Sequence, residues 1–172
     1  QPPIIELVPK YPEGDTLELV CQQSGIGSDF ADFARKGLFA DIDGNPRKLY
    51  KHQAEALVNA IGARKHIVAT TGTGSGKTEC FLLPVICDLV NESRQWQEKR
   101  TRAVRTLILY PLNALAEDQM IRLRKALNSK SATAGGARDW LDEHRNGHRF
   151  YFGRYTGLTP RGEGTDYEIA NR

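Results

Sequence analysis

The 172-residue sequence predicts an α/β layer structure, a parallel sheet flanked by helices, on three observations. Short apolar stretches of strand length alternate with amphipathic stretches of helical period from residue 46 onward. A Gly-rich loop, ATTGTGSGKTE at 69–79, falls between one such strand and one such helix, the setting a phosphate-binding loop requires. The composition, 40% apolar and 26% charged, is that of an ordinary globular chain. No apolar run approaches the roughly 18 residues that span a bilayer.

Taken in order, residues 1–27 read as an extended lead-in punctuated by Pro2, Pro3, Pro9 and Pro12, ending in the flexible SGIG. The opening QPPIIELVPKYPEG has no basic start followed by an apolar stretch, so it is no signal peptide. It also has no initiator Met, as expected of a cut from a longer chain. Ser28 is the expected cap of a short helix, SDFADFARKGLF, with Phe30, Phe33, Ala34 and Leu38 as its apolar side. A turn at Asp43-Gly44-Asn45-Pro46 precedes LYKHQAEALVNAIGA, in which Leu49, Ala56, Leu57, Ala60 and Ile61 recur near helical spacing.

His66–Ala69 is then a strand running into the loop, and Lys77 to about Val90 a helix bent by Pro84. After a polar connection, Val104–Tyr110 is a second strand ended by Pro111. LNALAEDQMIRLRKALN is an amphipathic helix with Leu112, Leu115, Ala116, Met120, Leu123 and Leu127 on one side. Residues 128–147 read as a polar, mobile excursion, and Arg149–Tyr155 as a third strand. There is no internal repeat.

Three cysteines, Cys21, Cys80 and Cys87, make neither a C-x-x-C pair nor a metal cluster. Their sparse, odd number fits a reducing, cytoplasmic location, and Cys80 and Cys87 are expected as buried small hydrophobes on one helix face. Residues 1–45 hold three basic residues against eight acidic ones, and the remainder 21 against 13. Basic character in the part that carries the loop permits a polyanionic partner.

In the loop, glycines let the backbone approach phosphate oxygens closely. Successive N–H groups and the positive end of the new helix then hold the β-phosphate. Thr73, Gly74, Ser75, Gly76, Lys77, Thr78 and Glu79 are the expected nucleotide contacts. Lys77 reaches the β- and γ-phosphates and Thr78 ligates Mg²⁺. The first loop position is Thr71, where the strict pattern G-x-x-x-x-G-K-[ST] has glycine.

Three further stretches, Leu49-Tyr50-Lys51-His52-Gln53, Tyr110-Pro-Leu-Asn-Ala-Leu-Ala-Glu-Asp-Gln119 and Gly153-Arg-Tyr-Thr-Gly157, stand around this loop. Together with it, over residues 46–165, they resemble superfamily 2 helicases of the DEAD/DEAH-like group. The phosphate loop of that family usually reads A-x-T-G-x-G-K-T, without the first glycine, and Thr71-Gly-Thr-Gly-Ser-Gly-Lys-Thr78 matches it apart from Thr71 in place of Ala. The resemblance implies a RecA-like domain and a nucleic-acid partner, DNA in preference to RNA, with ATP and Mg²⁺ as cofactors. Gln53 then matches the family's adenine-reading glutamine, with Tyr50 or Arg47 packing nearby. A Gln amide can donate to adenine N7 and accept from N6, which guanine does not satisfy. Pro111, Leu112, Asn113 and Gln119 match a strand-to-helix junction that holds nucleic-acid phosphates. Asn113 stands where the family has Arg or Lys. Arg154, Thr156 and Gly157 match a second backbone contact, with Arg161 nearby. The style of TTGTGSGKTECFLLP is similar to that of large bacterial helicases of phage-defence and restriction type, which implies defence-system subunits as partners.

Hydrolysis also needs a carboxylate on Mg²⁺ and a base for water. The family supplies an Asp-Glu pair after the Thr-Gly element. Asp142-Glu143 comes before that element and follows no buried strand, so it reads as a decoy, and Ser131-Ala132-Thr133 is out of order as a coupling motif. His144 and His148 lack a third zinc ligand. Trp96 and Trp140 read as surface anchors.

The expectation is therefore an N-terminal extension at 1–45 and, at 46–172, the N-terminal portion of a RecA-like helicase domain. The acid pair and second lobe would lie beyond Arg172, and the fragment alone would be catalytically incomplete. A P-loop ATPase of another class and a non-catalytic nucleotide-binding module are the alternatives.

Overall fold

The computed structural model describes residues 10–39, 47–72, 74–96, 103–130, 136–157 and 159. The element order is β1 (Glu13–Thr16), α1 (Leu17–Gln23), α2 (Ser28–Lys36), β2 (Lys48–Tyr50), α3 (Lys51–Leu57), a wide π-type turn (Val58–Gly62), α4 (Lys77–Ser93), α5 (Asn113–Asn128) and α6 (Ala137–His144).

Local chemistry explains where the helices start and which face they bury. Thr16 caps α1, its hydroxyl accepting from the Leu19 amide at 3.4 Å, and α1 buries Leu17, Val20 and Cys21. The lead-in is thus helical from residue 17, not extended. The cap of α2 is Gly27, one residue earlier than expected, and the helix buries Phe30, Ala31, Phe33 and Ala34. Asp29 in its first turn and Arg35 and Lys36 in its last complement the helix dipole. Helix α4 continues past Pro84 to Ser93 and buries Cys80, Leu82, Leu83, Ile86, Cys87 and Val90. All three cysteines are buried and free, as the sequence suggests. Burial pushes the thiols of Cys21 and Cys87 up to about 12.

One hydrophobic core gathers α1, α2, α4 and α6, so residues 17–39 share the packing of the loop-bearing part. Phe33 lies at its centre, fully buried, edge-on to Trp140 at 5.1 Å and to Phe150 at 5.6 Å. Trp140 is therefore a core residue and not a surface anchor. The stretch expected as a mobile excursion holds α6, which forms because Trp140 and Leu141 have this apolar wall to bury against. Trp96 is half-buried, edge-on to Phe150 at 5.0 Å.

The parallel sheet is absent among the described residues. Their one ladder is the antiparallel pair β1–β2, with Glu13 opposite Tyr50 and Thr16 opposite Lys48. The three stretches expected as strands, 66–69, 104–110 and 149–155, belong to no ladder. Several of their apolar side chains face outward, with Val68 88%, Leu109 81% and Tyr151 85% exposed, while Phe150 alone among them enters the core at 6%. A strand is defined by a hydrogen-bonded neighbour about 4.8 Å away, and none of the three has one. The same exposure extends to α5, where Leu112 and Leu115 are open and only Ala126 and Leu127 are buried.

Asp29 ties three elements together. It accepts from Arg94 Nε at 3.2 Å and Arg145 Nη2 at 2.7 Å. These bonds, Arg145 foremost, hold its carboxyl below the usual range. A carboxyl with a lowered folded-state pKa contributes stability that is complete above about pH 4 and is lost as pH falls through the lowered value. Urea midpoints measured from pH 7 to pH 2 should therefore show a flatter acid limb in Asp29→Asn than in wild type. Phe33→Ala should cost about 3–5 kcal/mol by chemical denaturation, against less than about 0.5 kcal/mol for the exposed Leu19→Ala.

Candidate nucleotide site and nucleic-acid junction

The loop enters α4 through two glycines in the left-handed region, Gly74 at φ +74° and Gly76 at φ +72°. At Gly76 a Cβ would also stand 2.3 Å from Gln53 Nε2, so the position excludes any side chain twice over. Ser75 between them is buried, and its hydroxyl lies 2.6 Å from Thr71 Oγ1. This contact accounts for threonine where a glycine is commoner: the Thr71 hydroxyl clips the loop across its base, which glycine cannot do. The Lys77 ammonium donates to the carbonyls of Thr71 and, at 3.0 Å, Gly72. Lys77 thus lies against the loop that it would serve. Lys77 and Thr78 open on a cleft of about 560 Å³ between α4 and the segment 65–69. Thr73 lies outside the described residues.

The first turn of α3 holds this loop from behind. The Tyr50 amide donates to Gln53 Oε1 at 2.8 Å, the backbone-to-N3 half of a capping box. Gln53 Nε2 donates to the Gly76 carbonyl at 3.0 Å. His52 Nε2 lies 2.9 Å from the Ser75 carbonyl, which makes it a donor. Gln53 is buried by these contacts, with one N–H and one carbonyl lone pair beyond them. Tyr50 stacks on His52 at 5.7 Å, and Tyr11 meets both rings. A Cβ on Gly72 would fall 2.6 Å from Tyr11 Oη, so this tyrosine reaches over the loop. Arg47 instead stands over the Phe39 ring at 5.7 Å.

Glu79 is buried and pairs with Arg122 of α5 at 3.2 Å. At the junction, Pro111 and Leu112 are exposed and α5 begins at Asn113 without a side-chain cap, which leaves its first-turn N–H groups without a capping acceptor. Gln119 donates to Asp118 at 3.2 Å. Arg154 pairs with Glu117, which brings the Thr156–Gly157 segment to the same helix. Thr156 N donates to Thr159 Oγ1 at 2.8 Å and the Thr159 amide returns to the Thr156 carbonyl at 3.0 Å, a closed turn. Asp142 is bound to Arg149 at 2.6 Å and Glu143 lies beside His144, both acids on the exposed face of α6. The Ser131–Thr133 stretch and Arg161 lie outside the described residues.

The model of the DEAD/DEAH box helicase family matches residues 50–148. The chain belongs to that family. Over 164 residues it is 33% identical to Druantia protein DruE of Escherichia coli, covering 93% of this chain and 8% of DruE. It is 36% identical over 81 residues to the uncharacterized ATP-dependent helicase YprA of Bacillus subtilis, covering 47% of this chain and 10% of YprA. It is 44% identical over 64 residues to the probable ATP-dependent RNA helicase ddx27 of Dictyostelium discoideum, covering 37% of this chain and 7% of the relative. The chain thus spans a tenth or less of the length of these relatives. No solved structure matches it.

Within this helicase-family chain, sequence reasoning missed Tyr11, His52 and Arg122. His52 adjoins Gln53 and could have been taken with it. Tyr11 and Arg122 come from distant segments and carry no local signal. No group of three metal-ligating side chains occurs among the described residues, nor is any of their helices long and apolar enough to cross a membrane.

Two substitutions read out the loop's construction. Thr71→Val keeps the shape but strands the buried Ser75 hydroxyl, and should lower stability by about 1–3 kcal/mol in urea denaturation. Gly76→Ala adds a Cβ in a left-handed position against Gln53 and should cost at least as much, about 1–3 kcal/mol.

Proposed function

We propose that this chain is the ATP-gripping part of an ATP-dependent helicase or translocase that moves on nucleic acid, DNA in preference to RNA. The observation that carries the reading is the loop itself. Two left-handed glycines and the start of a 17-residue helix are pinned from behind by Gln53 and His52. Such a Gly-rich turn into a helix offers backbone N–H groups and a lysine suited to a polyphosphate.

In this reading Lys77 leaves the Thr71 and Gly72 carbonyls for the β- and γ-phosphates, exchanging neutral acceptors for charged ones. Gln53 turns its remaining N–H and lone pair to the adenine edge, with Tyr50 packing beside the base. The Thr78 hydroxyl would hold Mg²⁺, which would supply neutralisation of phosphate charge. Glu79 stands next to it in the first turn of α4. Asp142 and Glu143 are committed elsewhere, and the hydrolytic carboxylates would come from sequence outside this chain. Residues 46–172 are then the N-terminal part of a RecA-like domain, working against a second lobe.

The open start of α5 at Pro111–Asn113, with Gln119, and the Arg154–Thr156–Gly157 segment would hold the strand by its phosphates. Such contacts carry no base information. The Druantia likeness supports a place for the parent protein in a defence system, with further subunits of that system as partners.

Equilibrium titration with a fluorescent ATP analogue tests the proposal. Lys77→Ala should weaken binding at least about tenfold, the equivalent of one charge-assisted hydrogen bond or more. Gln53→Ala should erase a preference for ATP over GTP. Unchanged affinity in Lys77→Ala would refute the nucleotide reading. Mg²⁺-dependent turnover by the 172-residue chain would bring Asp142 and Glu143 back as catalytic residues. Hydrolysis by the natural full-length polypeptide that single strands do not stimulate would instead favour a motor of another class.

A further inference from the structure

We propose that the Glu79–Arg122 ion pair is a positioning link that couples occupancy of the phosphate loop to the nucleic-acid end of α5. The inference rests on the proposed reading of the loop as a nucleotide site.

Glu79 follows Lys77 and Thr78 directly in the first turn of α4, so a displacement of the loop moves its backbone. Its Oε1 accepts from Arg122 Nη1 at 3.2 Å. Its Oε2 is buried without a hydrogen-bond partner, and would lie 3.1 Å from a Cβ on Gly76. A second buried oxygen in the same state, Tyr110 Oη, feels the field of the same guanidinium, which opposes the rise that burial causes in its pKa. Tyr110 immediately precedes the Pro111–Asn113 junction.

The guanidinium that holds Glu79 thus faces a carboxylate with one oxygen unmet, and its charge is felt by a second unmet buried oxygen beside the junction. Arg carries five N–H donors in a rigid fork, and buried acceptors without donors are costly to keep. With one carboxylate oxygen bonded and the other open to a further donor, the Glu79–Arg122 pair can re-form through either oxygen as the loop shifts. Either site can bias an element of that kind. Helix α5 carries the bias further, because Glu117 on it holds Arg154 of the Thr-Gly segment.

Arg122 is hence a positioning residue, distinct from the groups that touch ligand. The test is a linkage measurement on the natural full-length polypeptide. The affinity for MgATPγS is measured with and without a saturating oligothymidylate strand, in wild type, Arg122→Gln, Glu79→Gln and the double variant. The wild-type protein should show mutual tightening on the order of tenfold. Arg122→Gln should bring that factor to about one while MgATPγS affinity without the strand stays within about threefold. The double variant should lose no more than either single one, as expected of groups acting as a pair. Arg122→Lys, which keeps the charge, should recover part of the coupling. Wild-type coupling in Arg122→Gln would overturn the link, as would a parallel fall of both affinities together with the thermal midpoint. Absence of MgATPγS binding in wild type, or binding undiminished in Lys77→Ala, would sink the nucleotide reading first and the link with it.

Discussion

The contact on which the site depends is the pair of side-chain bonds from the first turn of α3 to the loop, Gln53 to the Gly76 carbonyl and His52 to the Ser75 carbonyl. A loop with two left-handed glycines loses much backbone freedom when it is ordered, and a short turn cannot recover that from its own contacts. Each tether adds on the order of 1 kcal/mol. Because both come from one helical turn, they fix the loop's position as well as its shape. The Thr71–Ser75 hydroxyl contact closes the other side. The loop is thereby held in shape by its surroundings.

The tethers also join two functions in one residue. Gln53 is placed by its bond from the Tyr50 amide before it reaches the loop, so the helix start, the loop and the proposed base-reading edge share one amide. The aromatic group of Tyr11, Tyr50 and His52 packs around this point. It draws part of the N-terminal lead-in onto the site. On the far side of the loop, the buried Glu79 hands the same geometry to α5 through Arg122. Exposed pairs elsewhere, such as Arg35 with Asp32 and Arg64 with Asp88, contribute little in water.

Legibility in the sequence followed the range of the interactions. Periodicity gave the helices over 28–36, 77–93 and 113–128 because an amphipathic face repeats locally. It failed at 17–23 and 137–144. Both stretches are short, seven and eight residues, and they become helical through packing of a few residues, Leu17, Val20 and Cys21 in one and Trp140 and Leu141 in the other. Trp140 looked like a surface residue because its neighbours in sequence are charged, whereas its neighbours in space are Phe33 and His144. The stretches at 66–69, 104–110 and 149–155 have strand composition, yet composition supplies no partner. Among the described residues they remain outside any ladder.

By itself the sequence determined the chemistry of the loop, since glycines, lysine and threonine at 74–78 act through backbone conformation and through groups adjacent in the chain. It also carried the DEAD/DEAH family pattern, which lies in short motifs that each read locally. Only the tertiary structure decided what holds those motifs together: the bonds of Gln53 and His52 to the loop across 23 residues, the reach of Tyr11 over Gly72, and the Arg122 bridge to Glu79. The reason is physical. A motif specifies which groups are present, while a hydrogen bond or ion pair between distant segments exists only once packing has set its distance and excluded the water that would otherwise compete for it.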